Sequence, residues 1–307
     1  MQVEKIIIDD LPAELSARLD SGAFMSSIRF ARVWRVIGGQ PVCWVAKDGD
    51  QIAAALVGVE FGRPPFARFQ AMPDGCYGSV ETLQGNALEI DTVSSLISGL
   101  ARGGYLRAYF TDYHHQLREI SGLSSELQST LLVDIDRGDW LPPDKKLQSE
   151  FRKAVREGVR VQSVDLDRHF DGFWKLVEHT ESRHGRRPKY PPEFYRELAA
   201  LSARDERIVW RYVEHDGKPA ASHIYFVEGG QLMHWQGYFD KSQAAMKPNQ
   251  YIMVQTVQEA FNRGVRTLNM GTGPTEASAL IAYKKKWGGR EYSYPTYVMQ
   301  SWLGRFL

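Results

Sequence analysis

The sequence predicts an α/β (α+β) protein of two tandem domains, each a mixed, mostly antiparallel sheet flanked by helices. Two observations support this prediction: strand-like and helix-like segments follow one order in both halves, and two short stretches recur. Residues 45–49 align with 213–217, and residues 101–107 align with 261–267. Such recurrence favours an internal duplication, with domains predicted over 1–140 and 141–307.

The predicted elements follow from hydrophobic periodicity and turn residues. Two apolar runs, 42–46 and 52–59, flank Asp48-Gly49, which is typical of a hairpin because the turn needs residues that tolerate positive φ. Further predicted strands cover residues 4–9, 66–71, 105–110, 207–215, 220–228, 232–239, 265–270 and 291–298. Predicted helices begin at Leu11 and cover residues 25–36, 88–100, 170–183, 192–202, 249–262 and 275–286.

The composition excludes several classes of protein. Across 307 residues, 38 Lys and Arg balance 37 Asp and Glu, which argues against a long nucleic-acid-binding arm but not against a local basic patch. Two cysteines are too few for a disulfide framework or a four-cysteine zinc site. No apolar run approaches the roughly 18 residues of a membrane span. We therefore expect a soluble, cytoplasmic protein without an integral membrane segment.

The catalytic motifs of several enzyme classes do not occur in the sequence. It contains no G-x-S-x-G, no phosphate-binding G-x-x-x-x-G-K-[ST] and no H-E-x-x-H, and it predicts no metal site. His223 and His234, on adjacent predicted strands, are candidates to accept a proton near neutral pH or are structural histidines. Tyr225, Trp235 and Tyr238 on the same sheet either line an acceptor groove or fill the core.

The C-terminal block carries a resemblance. Its three sequential strands, long helix, strand, helix and last strand are similar to the acyltransferase fold of the GNAT superfamily. The whole chain resembles the Fem-type (FemAB-like) aminoacyltransferases and related FemAB-like acetyltransferase-domain proteins, which carry two such folds. The segments that resemble the family are the basic helix 147–159, the long helix 251–264, the strand and glycine 268–271, and Tyr283-Lys284 with Trp287-Gly288.

The resemblance implies roles for two residues. Acyl transfer to an amine requires a deprotonated amine, a stabilised oxyanion and a protonated leaving group. Tyr283 stands where the family's tyrosine protonates the leaving group, and Lys284 where a lysine offsets negative charge on the donor. Tyr283 is alternatively a core aromatic, and Lys284, one of three successive lysines, is alternatively exposed. A donor cleft is expected between strands 232–239 and 265–270.

The identity of the acyl donor depends on the segment before the long helix. GNAT enzymes that use acetyl-coenzyme A cradle its pyrophosphate there in a glycine-rich loop, but residues 240–249 contain no glycine. Fem-type enzymes take the acyl group from aminoacyl-tRNA, which we expect as donor substrate, with acetyl-CoA as the alternative and no other cofactor predicted. Lys247 and Asn249 of this segment, and Gly271 at a strand–helix turn, are substrate-binding candidates.

Basic residues add candidates for phosphate binding. Arg186, Arg187 and Lys189 form a basic loop that is a candidate for tRNA phosphates. Three functions remain open: tRNA-dependent aminoacyl transfer to an amine of a peptidoglycan precursor or small peptide, acyl-CoA-dependent N-acetylation of an amino sugar or amino acid, and non-catalytic peptide binding.

Overall fold

A computed structural model describes residues 1–83, 90–115, 124–272, 278–301 and 304. The chain divides into two compact units, one of Met1–Gln128 with Ser293–Leu307 and one of Ser129–Tyr292. The boundary predicted at residues 140 and 141 is later than this division. The prediction also kept residues 293–307 with the second half of the chain, whereas they join the first unit.

The described elements run in the following order. The strands are β1 (Gln2–Ile7), β2 (Gln40–Asp48), β3 (Gln51–Phe61), β4 (Arg68–Gln70), β5 (Glu81–Thr82), β6 (Arg107–Thr111), β7 (Ser124–Asp134), β8 (Arg160–Ser163), β9 (Ile208–His215), β10 (Lys218–Glu228), β11 (Gln231–Phe239), β12 (Thr267–Thr272) and β13 (Arg290–Gln300). The helices are α1 (Ala13–Ser21), α2 (Ile28–Val33), α3 (Ile90–Ala101), α4 (Lys145–Arg156), α5 (Leu166–Arg183), α6 (Pro192–Ser202), α7 (Pro248–Asn262) and α8 (Ser278–Lys286).

The first unit has the strand order β1-β2-β3-β4-β6-β13. Its strands pair antiparallel except β4 and β6, which are parallel. Only the later part of β13, Thr296–Gln300, pairs with β6. Helix α3 covers one face, where Leu96 and Leu100 pack into a core with Leu56 and Phe110.

The second unit has the order β8-β9-β10-β11-β12-β7. Its strands again pair antiparallel except the fourth and fifth, β11 and β12, which are parallel. The sixth strand is the later part of β7, which precedes the rest of the unit in the chain. The same order and directions therefore recur in both units, which confirms the predicted tandem α/β (α+β) architecture of mixed sheets and helices.

The two sixth strands explain why the division of the chain differs from the predicted one. In each unit, the sixth strand, which pairs with the fifth, comes from residues that the sequence prediction had assigned to the other domain. Residues 130–134 pair with β12, and residues 296–300 pair with β6. A boundary placed by the order of elements alone does not reveal such an exchange.

Most predicted elements are present with small shifts in their ends. The hairpin of β2 and β3 has Gly49 at φ 58°, as the Asp-Gly turn predicts. The helix predicted over residues 25–36 is reduced to the six residues of α2, with 3-10 turns on either side. Strand β7 was not predicted, because its first half is polar and exposed.

Candidate active site

The parallel strands β11 and β12 pair over only three residues before they separate. Gln231–Met233 lies in register with Thr267–Asn269, and β11 then continues to Phe239 paired with β10. The separation begins at His234, within the segment where the sequence predicted a donor cleft. Splitting a sheet leaves backbone groups that need other partners.

Strand β12 turns at the point of separation. Its pairing with β7 is irregular between Asn269 and Thr272, and Gly271 has φ 70° there. A Cβ at Gly271 would lie 3.2 Å from the backbone oxygen of His234, so glycine suits both the conformation and the close approach. The fully buried Asn269 fixes the turn, because its Oδ1 accepts from Gly271 N (2.9 Å) and from Thr130 Oγ1 (2.6 Å).

Lys284 supplies a partner for the carbonyl of this turn. Its Nζ donates to Gly271 O over 2.7 Å, and the residue is only 6% exposed. Burial lowers the pKa of Lys284 to about 8. Lys285 and Lys286, the next residues of α8, are exposed. Of the three successive lysines, the helix therefore directs Lys284 inward, and the exposed alternative does not hold for it.

His223 belongs to a chain of buried polar groups between β10 and α7. Its Nε2 lies 3.1 Å from Asn249 Oδ1, and its Nδ1 lies 3.0 Å from Tyr225 Oη. Because an amide oxygen only accepts, Nε2 carries the proton and Nδ1 accepts from the tyrosine. Burial lowers the pKa of His223 to about 4, against a smaller opposing effect of Asn249. The ring is neutral at pH 7 with both nitrogens engaged.

His234 faces the same side of the sheet. Its ring centroid is 4.8 Å from that of His223 and 5.1 Å from that of Tyr225. Burial, with smaller contributions from His223 and Lys284, holds the pKa of His234 well below its usual range. Within the described part of the chain, His234 Nε2 is buried without a hydrogen-bond partner. It is therefore a neutral imidazole with one buried ring nitrogen left unpaired among the described residues.

Gly237 makes room for both imidazoles. A Cβ at Gly237 would lie 3.0 Å from His234 Nε2 and 3.2 Å from His223 Nε2. A glycine inside a strand is a sequence signal for such close approach. Sequence reasoning missed Gly237, and it also missed Asn269, although an asparagine between Leu268 and Met270 in an apolar strand could have indicated a buried polar contact.

Tyr283 lies one residue before Lys284 and is half-buried against the core of the second unit. Its ring centroid is 6.1 Å from that of Trp287. Burial raises the pKa of Tyr283, so the phenol is protonated at neutral pH.

The three aromatics predicted to line one groove do not share a face. Tyr225 is fully buried beside His223, on the side of α7. Trp235 lies near Phe194 of α6, with ring centroids 6.4 Å apart, and the Tyr238 hydroxyl lies 2.7 Å from that of Tyr195 in the same helix. Close to Trp235, β11 has one residue more than its partner β10. This bulge interrupts the alternation of side chains between the two faces of the sheet.

The basic candidates lie apart from this buried chain. Arg186 pairs with Glu181, whereas Arg187 is exposed, and so is Lys189, with its Nζ 5.5 Å from the ring centroid of Tyr190. Lys247, at the start of α7, pairs with Glu150 at 3.0 Å. The residues around the separated strands are thus His223, His234, Asn249, Gly271, Tyr283 and Lys284, with Tyr225 behind His223.

Comparison with known proteins agrees with this architecture. Residues 144–285, which contain most of the site, match the family model of the acetyltransferase (GNAT) domain. No curated protein matches the chain significantly. Among the described ranges, no group of three or more His, Cys, Asp or Glu side chains is placed to hold a metal ion. No helix in those ranges is both long and apolar enough to cross a membrane.

Three solved structures are similar over nearly the whole chain. FemX has a TM-score of 0.71 at 12% identity and covers 98% of both chains. The C-terminal domain of a putative lysylphosphatidylglycerol synthetase from Agrobacterium fabrum has a TM-score of 0.64 at 13% identity, covering 95% of this chain and 93% of its own. A tandem GNAT protein of the clavulanic acid pathway has a TM-score of 0.55 at 9% identity, covering 97% and 98%.

Proposed function

We propose a specific reaction for this chain from the premise that it is an acyltransferase carrying a GNAT domain over residues 144–285, as predicted from the resemblance. It transfers an aminoacyl group from aminoacyl-tRNA to an amine of a peptidoglycan precursor or small peptide. The observation that carries the proposal is the buried ammonium of Lys284, held on Gly271 O where β11 and β12 separate.

The chemistry of the reaction fits this position. The acceptor amine attacks the ester carbonyl, a C–N bond forms, and the C–O bond to the ribose breaks. The amine loses a proton and the ribose oxygen gains one, so the exchange balances without a cofactor. Lys284 offsets the charge of the tetrahedral oxyanion, and the protonated Tyr283 donates to the leaving oxygen.

The two histidines take different roles in this proposal. His234 accepts a hydrogen bond from the acceptor amine, because its Nε2 has no partner within the described part of the chain. His223 is a positioning residue, because Asn249 and Tyr225 already occupy its two nitrogens. With a pKa of about 4 it is a weak base at neutral pH.

The segment before α7 supports aminoacyl-tRNA over coenzyme A as donor. Some of its backbone N–H groups are engaged within the chain: Ser242 N donates to Asp240 Oδ1 at 2.8 Å, and Lys247 N donates to Ala244 O at 3.2 Å. Pro248, the first residue of α7, has no N–H. Fewer amides are therefore left for a pyrophosphate than at an open glycine-rich helix start.

Exposed basic side chains offer contacts for tRNA phosphates. Helix α4 and the residues after it expose Lys145, Lys146, Arg152, Arg156 and Arg160. Arg187 and Lys189 are exposed in the loop before α6. Neutralising phosphates with such groups predicts binding that weakens steeply with salt. The fold that this chain shares with FemX and with the domain of a putative lysylphosphatidylglycerol synthetase supports the proposal.

The experiment compares donors directly. The purified chain is incubated with a lysine-containing stem peptide and either ³H-aminoacyl-tRNAs or acetyl-CoA. We expect peptide-dependent loss of label from tRNA, transfer of that label to the peptide, and no release of free thiol from acetyl-CoA. Thiol release alone would favour the acetyltransferase reading. Tight peptide binding without either release would favour a binding protein, and label transferred to phosphatidylglycerol vesicles would change the acceptor class.

A further inference from the structure

Gly271 lies in a bulge of β12, where the strand ladder does not hold it. From Asn269 to Thr272, β12 advances three residues while its partner β7 advances two. The extra residue of a bulge is left out of the ladder. Side chains bond to both polar groups of Gly271 instead: its N–H donates to Asn269 Oδ1 (2.9 Å), and its carbonyl accepts from Lys284 Nζ (2.7 Å). The position of this carbonyl therefore depends on how firmly Asn269 is held.

A buried threonine of the neighbouring strand β7 holds Asn269. Thr130 Oγ1 lies 2.6 Å from Asn269 Oδ1, and both residues are 0% exposed. Because the N–H of Gly271 can only donate, the atom that faces it is the amide oxygen of Asn269, and the Thr130 hydroxyl donates to the same oxygen. Bulk water does not reach this oxygen to replace a lost donor. The orientation of the Asn269 amide thus depends on Thr130.

The surroundings of this polar pair are apolar. Leu131, Leu268 and Met270 are chain neighbours of the two residues, and each is at most 6% exposed. A hydrogen-bonded pair in such a core adds little net stability over apolar residues of the same shape. What an apolar pair does not supply is an acceptor for Gly271 N, and with it a fixed position for the carbonyl that binds Lys284.

We propose, on the premise of the acyl transfer proposed above, that Thr130 and Asn269 are positioning residues for that reaction. Thr130 orients the amide of Asn269, which in turn holds the Gly271 turn. The Gly271 carbonyl then keeps the Lys284 ammonium where β11 and β12 separate. Neither Thr130 nor Asn269 touches the substrate in this assignment.

Loss of the Thr130 donor should change the rate more than substrate binding. The Lys284 ammonium offsets charge that develops only in the transition state, so its displacement lowers kcat and leaves KM nearly unchanged. For Thr130→Val, which keeps the shape and removes the hydroxyl, we expect kcat to fall about tenfold, the size of one hydrogen bond. Thr130→Ser keeps the donor and should retain most of the wild-type rate. A Thr130→Val protein with wild-type kcat overturns the proposal.

Thr111→Val is the matched control. Thr111 is a strand residue of the first unit, 5% exposed, and its Oγ1 lies 3.3 Å from that of Thr296. Removing this hydroxyl should leave kcat unchanged. A double-mutant cycle separates positioning from general damage: Thr130→Val should slow the wild type but not Lys284→Met, because an absent ammonium cannot be displaced. Equal fold-losses in the two backgrounds overturn the assignment.

The titration of Lys284 gives a readout that does not need catalysis. Protein labelled with [ε-¹³C]lysine reports it by NMR, and Lys284→Met identifies the signal. Burial places the pKa of Lys284 at about 8, and a carbonyl that accepts from the ammonium favours its charged form. His234 is neutral and Tyr283 protonated around this pH, so neither contributes a titration of its own.

We expect Thr130→Val to lower the pKa of Lys284 and Thr130→Ser to leave it unchanged. The same pKa in Thr130→Val and in the wild type overturns the positioning of Lys284 by Thr130. If the wild type transfers no aminoacyl group, the proposed function fails, and this titration still decides whether Thr130 positions the lysine.

Discussion

Lys284 Nζ and Gly271 O, 2.7 Å apart, form the contact on which the candidate active site depends. In an uninterrupted parallel ladder, the carbonyl at this position would accept from the neighbouring strand. Here β11 has already separated, and a buried ammonium takes the place of a backbone N–H. The contact therefore gives the Gly271 carbonyl a hydrogen-bond partner in place of β11. It also places a positive charge where the two strands separate.

Removing the Lys284 charge should reduce catalysis strongly. For Lys284→Met we expect aminoacyl transfer to fall by about 10²–10³-fold, the usual cost of deleting one oxyanion-stabilising group. Lys285→Met is the matched control, since that neighbour is exposed and should retain full activity. Steady-state rates with the same tRNA and peptide check both variants. Equal rates for the two would remove Lys284 from the mechanism.

The low pKa of Lys284 also predicts how stability depends on pH. Burial places the folded-state pKa near 8, below the 10.5 of an unperturbed lysine, so the unfolded chain binds more protons between these values. The penalty for burying the charge is therefore full below pH 8 and is relieved as the pH rises toward 10.5. Relative to Lys284→Met, the wild type should gain on the order of 3 kcal/mol in unfolding free energy over this interval. Denaturant unfolding at pH 7 and pH 10 measures the difference, and parallel curves would contradict it.

Sequence reasoning located the elements better than the side-chain directions. Hydrophobic periodicity and Asp-Gly turns predicted β9, β10 and β11, and the resemblance pointed to Lys284. Which of three successive lysines is buried depends on how α8 docks, which no local pattern contains. Likewise, the extra residue in β11 changes the face of Trp235 relative to Tyr225, because a bulge disrupts the two-residue alternation used for prediction.

The hydrogen bond between Asn249 and His223 should control the charge of the imidazole. In Asn249→Asp a carboxylate would face Nε2, and we expect the pKa of His223 to rise from about 4 to above 6. In the wild type, the neutral ring costs stability as pH falls from 6.5 toward 4, because only the unfolded chain protonates there. The aspartate variant should lose less stability over that interval. Imidazole NMR shifts report the pKa, and a histidine that still titrates near 4 would contradict the contact.

Asn249→Leu removes the hydrogen bond to His223 without introducing a charge. The apolar side chain leaves His223 Nε2–H without an acceptor, which should destabilise the fold by about 1–3 kcal/mol and also lower activity. If His223 only positions the site, the activity of Asn249→Leu should be lower at every pH, and its pH profile should keep the shape of the wild-type profile. A shifted profile would instead identify His223 as the base that titrates in the reaction.

Gly237 provides the most local test of the two-histidine arrangement. In Gly237→Ala the added Cβ would meet His234 Nε2 at 3.0 Å and His223 Nε2 at 3.2 Å, so at least one ring must move. Because the backbone of Gly237 does not require positive φ, alanine causes no conformational strain, and the effect should fall on activity more than on stability. The matched control is Gly22→Ala, where the nearest atoms are 3.6 Å from the new Cβ and the rates should not change. We expect a rate loss of about 10-fold or more from misplacement of the acceptor amine, since small displacements in a site are costly. Wild-type rates in a folded Gly237→Ala protein would mean that the acceptor amine does not contact the imidazoles.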